Sequence, residues 1–535
     1  MAWSTSVRDI LRISRDRRMR SSGGTRKRVM VGERKGRAKS PSATIRFGNA
    51  AVLSASYAPI LAAIYAAPAV AADWQITPSI AVTESVTDNA PGNPRGSERA
   101  DAFTTVTPGV SVREQSARVN LSLDYSVTGY KYIDNSNLDT IQHNLLAGGT
   151  TELMRQLLFL DAQASVSRQS ISATGPQSAN NAPLATNSTT VKTYTLSPYL
   201  RNHLGSFADS EFRYGFSQFY AGALNDTTTN RFTETLTSGE EFNRFRWVGL
   251  LDSINQTAST TSASQAALTG TAGSSFHRLA SFAPQYALDR YFILLGSVGY
   301  EKISDATLTN QPDGPIGSAG IRVNPGPRSS FSVLANHRFD SNYLTGDASY
   351  ILTPTTRIDA AITRDISTTQ SQFAQNLSYL ATDQTGGFVD TRTQQAFIIN
   401  NPAFSLTNAS FLDKRASVRM TTDLLRDSFF AEIYRESHSS GVATSQELVY
   451  GGRANWNHEL QPLLNLFVTV QYADEKFDAL AGREDQTYNG EAGLHYSLSE
   501  TLHADLTYDF IYRFSNVPQG GLREDIVTLG LKKTF

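Results

Sequence analysis

The sequence predicts an all-β protein: a transmembrane antiparallel up-and-down β-barrel of about 22 strands, with short periplasmic turns and long external loops. Three observations carry that expectation. Apolar and polar residues alternate along most of the chain with the period of two that belongs to a strand with one wet and one dry face. Short and long connections also alternate, as they do when a barrel turns tightly on its periplasmic side and loosely outside. The third observation is the end of the chain, where Val527, Leu529, Leu531 and Phe535 share one face of an extended strand while Thr528, Gly530, Lys532 and Thr534 share the other. An alternating strand that closes on an aromatic residue is what outer-membrane barrels present to their assembly machinery, so Phe535 is expected to act as an assembly signal. Lys533 breaks the pattern by falling on the lipid-facing phase, although at a membrane edge its long stem can snorkel.

At the other end, the first 46 residues hold 14 Lys or Arg against Asp9, Asp16 and Glu33. An uncharged stretch follows over 47–72, with the apolar heart Ile60-Leu61-Ala62-Ala63-Ile64-Tyr65-Ala66-Ala67 and the small-residue site Ala69-Val70-Ala71. Residues 1–71 therefore predict a secretory signal peptide with a long basic n-region, and residues 72–535 the barrel. Asn49, Ser54, Ser56 and Pro59 keep the apolar core shorter than the about 20 residues a single anchor needs. Arg17-Arg18 lies far from that core, and a barrel must reach its membrane unfolded, which speaks against twin-arginine export. Met19 and Met30 are alternative starts.

Setting residues 1–71 aside takes the totals of 48 basic and 49 acidic residues to 34 and 46, a net charge of −12. A chain so acidic does not read as a nucleic-acid binder. Cysteine is absent, which excludes disulfides, thiol chemistry and a lipidated N-terminal Cys. Mean hydropathy is −0.30, and no segment after the leader approaches a transmembrane helix. Strands are then the way to cross a membrane, because they need only half their residues apolar.

The elements follow in order. An opening strand is expected over 75–85 and a closing strand over 525–535. Between them lie ten hairpins, with turns near 114–116, 153–155, 204–206, 240–241, 287–289, 324–327, 353–355, 426–427, 458–462 and 499–501. That arithmetic gives the even strand number a single-chain bacterial barrel requires, within a range of roughly 18 to 24 because strand boundaries are loose. The clearest hairpin spans 488–514. Tyr488, Leu494 and Tyr496 share a face with Leu506, Tyr508 and Phe514 across the turn, with polar residues opposite, and the aromatics gather towards the strand ends like an interfacial girdle.

Two connections exceed the rest. Residues 167–189 are polar and of low complexity, and include Gly175-Pro176-Gln177-Ser178 and Asn180-Asn181-Ala182-Pro183. Residues 366–413 are longer and include a candidate helix over 370–381 and the apolar run Ala396-Phe397-Ile398-Ile399. Loops of that size are functional or disordered. The apolar run would be awkward in water, which favours a lid or constriction folded over or into the pore; a surface loop outside the barrel is the alternative.

No glycine-rich phosphate loop, metal-spaced histidine cluster or nucleophile elbow occurs, and the eight His residues are scattered. Pairing across the 499–501 turn sets His495 opposite Asp505 and Glu491 opposite Asp509 on the polar face. Such a group has the chemistry for cation binding or acid–base catalysis, but a hydrated barrel wall is the simpler account and the one expected. Glu491, His495, Asp505, Asp509 and Arg513 are therefore expected to line the lumen, with Arg513 helping to screen the two opposed carboxylates. No catalytic residue, metal site or cofactor is expected, and the protein is not expected to be an enzyme. A plugged, TonB-dependent transporter is disfavoured because strand alternation starts at Ile76, directly after the leader.

After the leader, Trp74-Gln75-Ile76-Thr77-Pro78-Ser79-Ile80 leads to Thr87-Asp88-Asn89, and Val106-Thr107-Pro108-Gly109-Val110 leads to 121–125. This order resembles the PEP-CTERM system-associated outer membrane protein family, within the wider set of outer membrane β-barrel proteins. The resemblance implies a barrel in a Gram-negative outer membrane that works with exopolysaccharide export and exosortase surface systems. Outer-membrane lipid, the barrel assembly machinery and polysaccharide export proteins are the partners it implies. A passive export conduit is the leading expectation; a surface-attachment barrel binding partners through its long loops, or a soluble secreted β-protein, are the alternatives.

Overall fold

The computed structural model describes residues 74–535 except 181, 185, 223, 260–272, 306–307, 309–310, 340, 377–379, 383–387, 391–404, 440–445 and 481. The expected signal peptide and the apolar run 396–399 lie outside the described residues.

Twenty-two antiparallel strands form one sheet, each pairing with the next in the chain from Trp74–Thr87 to Leu522–Thr534. The first strand also pairs with the last, from Ser79 opposite Thr534 to Thr87 opposite Ile526, and this closes the barrel. Two further strands, Leu380–Thr382 and Phe388–Asp390, make a small separate hairpin inside the longest connection, behind the helix Thr369–Asn376. Among the described residues no helix is long and apolar enough to cross a membrane.

The pleat separates the two faces as the sequence implies. On the last strand Val527, Leu529 and Leu531 are 49%, 59% and 51% exposed, while Ile526 on the other face is buried. On the first strand Ile80, Val82 and Val86 point outward and Ala81, Thr83, Ser85 and Thr87 inward. Apolar residues outside and polar residues inside reverse the order of a soluble protein. A surface of that kind is stable only against lipid. Leu529→Arg is therefore expected to destabilise the barrel by about 2–4 kcal/mol, which a lower temperature for loss of heat-resistant gel mobility would show. An unchanged midpoint would contradict a lipid-facing Leu529.

Ten short connections of two to six residues occupy one rim, each at or near the position expected. One is displaced. The polar pair His458-Glu459 resembles a turn, yet strand Gln446–Gln461 runs through it and leaves only Pro462 and Leu463 before strand Leu464–Phe477. His458 Nδ1 lies 2.8 Å from Asp427 Oδ1 across the ladder, and a register shift between Glu459 and Gln461 absorbs the extra residue as a bulge. The opposite rim carries the long connections 88–100, 171–187 and 368–410, although the strands flanking 222–225 and 339–340 leave gaps as short as the periplasmic turns. Lys533, the exception on the lipid-facing phase, reaches the periplasmic rim, where its ammonium donates to the Thr501 hydroxyl at 2.5 Å.

Candidate functional site

The inner wall and the outer mouth of the barrel hold the polar groups that strand alternation turns away from lipid. In the hairpin of Arg483–Ser499 and Leu502–Ser515, His495 pairs with Asp505 and Glu491 with Asp509. His495 Nδ1 is 2.7 Å from Asp505 Oδ1, and the His495 and His503 rings stack at 5.3 Å. Tyr488, Tyr496 and Tyr508 are exposed on the opposite face.

Arg513 shares the inner face with Glu491 and Asp509, and its hydrogen bonds run to the mouth. It is 4% exposed, and its guanidinium is spent there. Nη1 donates to the carbonyls of Ala173 at 3.0 Å and Gly175 at 2.9 Å, and Nε to Gly520 at 2.9 Å. Beside it Arg483 pairs with Asp485 and donates to the Thr174 carbonyl at 3.3 Å. One strand further, Glu524 accepts from the Ala179 amide at 2.8 Å and the Thr87 hydroxyl at 3.0 Å. The 171–187 connection is thus fixed to the last three strands of the barrel, although it leaves the fifth and returns to the sixth. Its base is clipped by Asn187, which adopts φ 60°, a left-handed conformation that Asn tolerates. The Asn187 amide accepts from Ser172 N at 2.8 Å and donates to the carbonyls of Ser172 and Pro176 at 2.9 and 2.8 Å.

The 368–410 connection also runs inward. Phe373, on the helix Thr369–Asn376, is fully buried with Val191, Phe219, Ala221, Leu224 and Leu406. Gln370 accepts from the Thr227 hydroxyl at 2.6 Å. Val191, Phe219, Ala221 and Thr227 belong to the sixth, seventh and eighth strands, whereas the connection springs from the fifteenth, seven to nine strands round the barrel. The two connections are also joined to each other. Leu406 N donates to Ile171 O at 2.9 Å, and Ala173 N to the Ser405 hydroxyl at 3.2 Å. The helix is shorter than the 370–381 expected, and the flanking strands run to Ser367 and from Phe411, so the connection is slightly shorter than 366–413.

A second charged group on the inner wall has no counterpart among the residues singled out from the sequence. Glu432, with its side chain fully buried, is held by Arg453 (Nε–Oε2 2.6 Å), Arg415 (3.2 Å) and Arg419 (3.2 Å). Tyr434 packs beside it over Gly451, its direct cross-strand partner, where an added Cβ would lie 2.3 Å from the ring. The signal was present as spacing: Arg415 and Arg419, and Glu432 and Glu436, sit four apart, on one face of their strands. Asp413, Glu436 and His438 place donor atoms within 4.8 Å of one another, but Arg415 already pairs with Glu436, so the triad has its cation.

Residues 433–535 match the family model described as "Putative beta-barrel porin 2". No curated protein matches the sequence. Among solved structures, the siderophore receptor PirA from Acinetobacter baumannii aligns with a TM-score of 0.47 at 8% identity, over 86% of this chain and 80% of that one. The FrpB iron transporter from Neisseria meningitidis (F3-3 variant) gives 0.49 at 10% identity, over 86% and 81%. A point mutant of the ferric enterobactin receptor PfeA from Pseudomonas aeruginosa, in complex with enterobactin, gives 0.46 at 11%, over 86% and 81%. The chain's own geometry gives the fold, a closed antiparallel barrel of 22 strands. The family matched is a porin family, no enzyme family is matched, and likenesses this distant carry nothing about cargo.

Proposed function

We propose that this chain is a non-enzymatic outer-membrane conduit whose outer mouth is narrowed by its own 171–187 and 368–410 connections. The observation that carries the proposal is the tethering of both connections to strands far round the barrel from their origins, above a closed polar wall. Passage is passive. Carboxylates, imidazoles and guanidinium groups on the inner face, Glu491, His495, Asp505 and Asp509 among them, offer hydrated solutes hydrogen-bond partners in exchange for those they lose to water.

The cargo class in this proposal is an extracellular polysaccharide of the kind handled beside exosortase surface systems, supported by the sequence likeness over 74–125. Polysaccharide export proteins are then its partners on the periplasmic side, and Phe535 its signal to the assembly machinery. Surface attachment is less favoured, because the described parts of the two longest connections turn into the barrel. Deleting the gene is expected to lower surface polysaccharide and raise the periplasmic pool, with recovery on complementation. Unchanged surface polysaccharide would remove the cargo assignment.

A further inference from the structure

Three basic residues stand together on the outer face of the barrel, near the rim opposite the short turns. Arg364 lies directly opposite Lys414 in the ladder between Thr356–Ser367 and Phe411–Asp423. Arg435 follows on the next strand, where it pairs with Ala416 while Ser437 pairs with Lys414, so Arg435 and Lys414 are diagonal neighbours. All three share the strand phase of the outward apolar residues Ile362, Val418 and Ile433, which are 55%, 44% and 66% exposed. They therefore sit just beyond the edge of the apolar band, three or four residues from the outer ends of their strands.

None of the three has a carboxylate partner among the described residues. Arg364 reaches over the ring of Tyr343, a residue of the inward strand phase, at 4.3 Å beyond the last pair of the ladder that joins their two strands, and Arg435 donates to the Tyr450 hydroxyl at 3.3 Å. Elsewhere on this rim Lys131, Lys302 and Lys476 hold Asp139, Asp313 and Glu484. Three adjacent cations repel one another, and an anion placed between them relieves that repulsion. The apolar residues beneath them face lipid acyl chains, so the anion at this height is a lipid headgroup. Guanidinium and ammonium groups together suit phosphate, which accepts hydrogen bonds from both.

We propose that Arg364, Lys414 and Arg435 form a docking surface for the phosphorylated headgroup of an outer-leaflet lipid, a proposal that rests on the outer-membrane placement argued above. The test uses the full barrel in neutral detergent micelles doped with a bisphosphorylated glucosamine glycolipid, its dephosphorylated form, or inorganic phosphate, with bound lipid counted by native mass spectrometry. The phosphorylated lipid is expected to bind and the dephosphorylated form to bind far more weakly. The triple substitution Arg364→Gln, Lys414→Gln, Arg435→Gln is expected to weaken binding on the order of a hundredfold. Lys302→Gln, which removes an ion-paired cation on the same rim, is expected to leave binding unchanged.

Equal binding of the two lipid forms, or full retention by the triple variant, would overturn the docking surface. Displacement of the lipid by inorganic phosphate at matched concentration would overturn the lipid as occupant. Heat-dependent gel mobility of the triple variant serves as the folding control. Failure of the wild-type barrel to appear in outer-membrane fractions would instead count against the placement, and is read separately from the micelle titration.

Discussion

Glu432→Ala is expected to destabilise the barrel by about 3–5 kcal/mol, because it strips the counter-charge from three arginines packed around a buried carboxylate. Arg415, Arg419 and Arg453 converge on Glu432, and Phe430 and Tyr434 hold their guanidinium groups in place from the sides at 4.5 to 5.7 Å. Without Glu432 those charges face one another at the wall, and Arg415 keeps Glu436 as a partner. Glu432→Gln keeps the shape and loses the charge, so it should fall between wild type and Glu432→Ala. Adding Arg453→Leu to Glu432→Ala should recover part of the loss, since one unpaired cation leaves with it. The denaturant midpoint of the reconstituted barrel measures all three. Wild-type stability in Glu432→Ala would show that water already solvates the arginines and that the cluster is not a structural tie.

The second large effect is expected at the mouth. Arg513→Met with Glu524→Gln removes the guanidinium bonds to the Ala173 and Gly175 carbonyls and the charge that accepts the Ala179 amide. Met keeps much of the apolar stem, so packing changes less than hydrogen bonding does. Bonds to charged groups contribute about 1.5–3 kcal/mol each, so hydrogen exchange at the Ala179 amide should speed up by roughly tenfold to a hundredfold. Exchange in the strands Leu502–Ser515 and Leu522–Thr534 should not change. Global loss of protection would mean that Arg513 holds the wall rather than the connection.

The barrel was legible because its physics is local. Alternation places Val527, Leu529 and Leu531 on one face whatever lies elsewhere, and a short turn fixes the register that sets His495 opposite Asp505. The bulge after Glu459 was not legible, because a polar pair within a strand has the composition of a turn. The mouth was harder still. Phe373 finds its partners in Val191 and Phe219, more than 150 residues back, and no periodicity in either segment announces the other. Arg513 binds backbone carbonyls, which carry no side-chain signature, so its sequence position marks it as another lumenal charge. The Glu432 cluster lay between these cases: its four-residue spacings were visible, but only the paired strands bring three arginines to one carboxylate.

Single-channel conductance in planar bilayers tests the central claim most directly. The wild-type barrel is expected to show small openings, and the Arg513→Met, Glu524→Gln variant larger or longer ones of the same ion selectivity, because the tethered connection and not the wall limits passage. A barrel that stays silent in both forms, while folded by gel mobility, would contradict a conduit narrowed by its own loops.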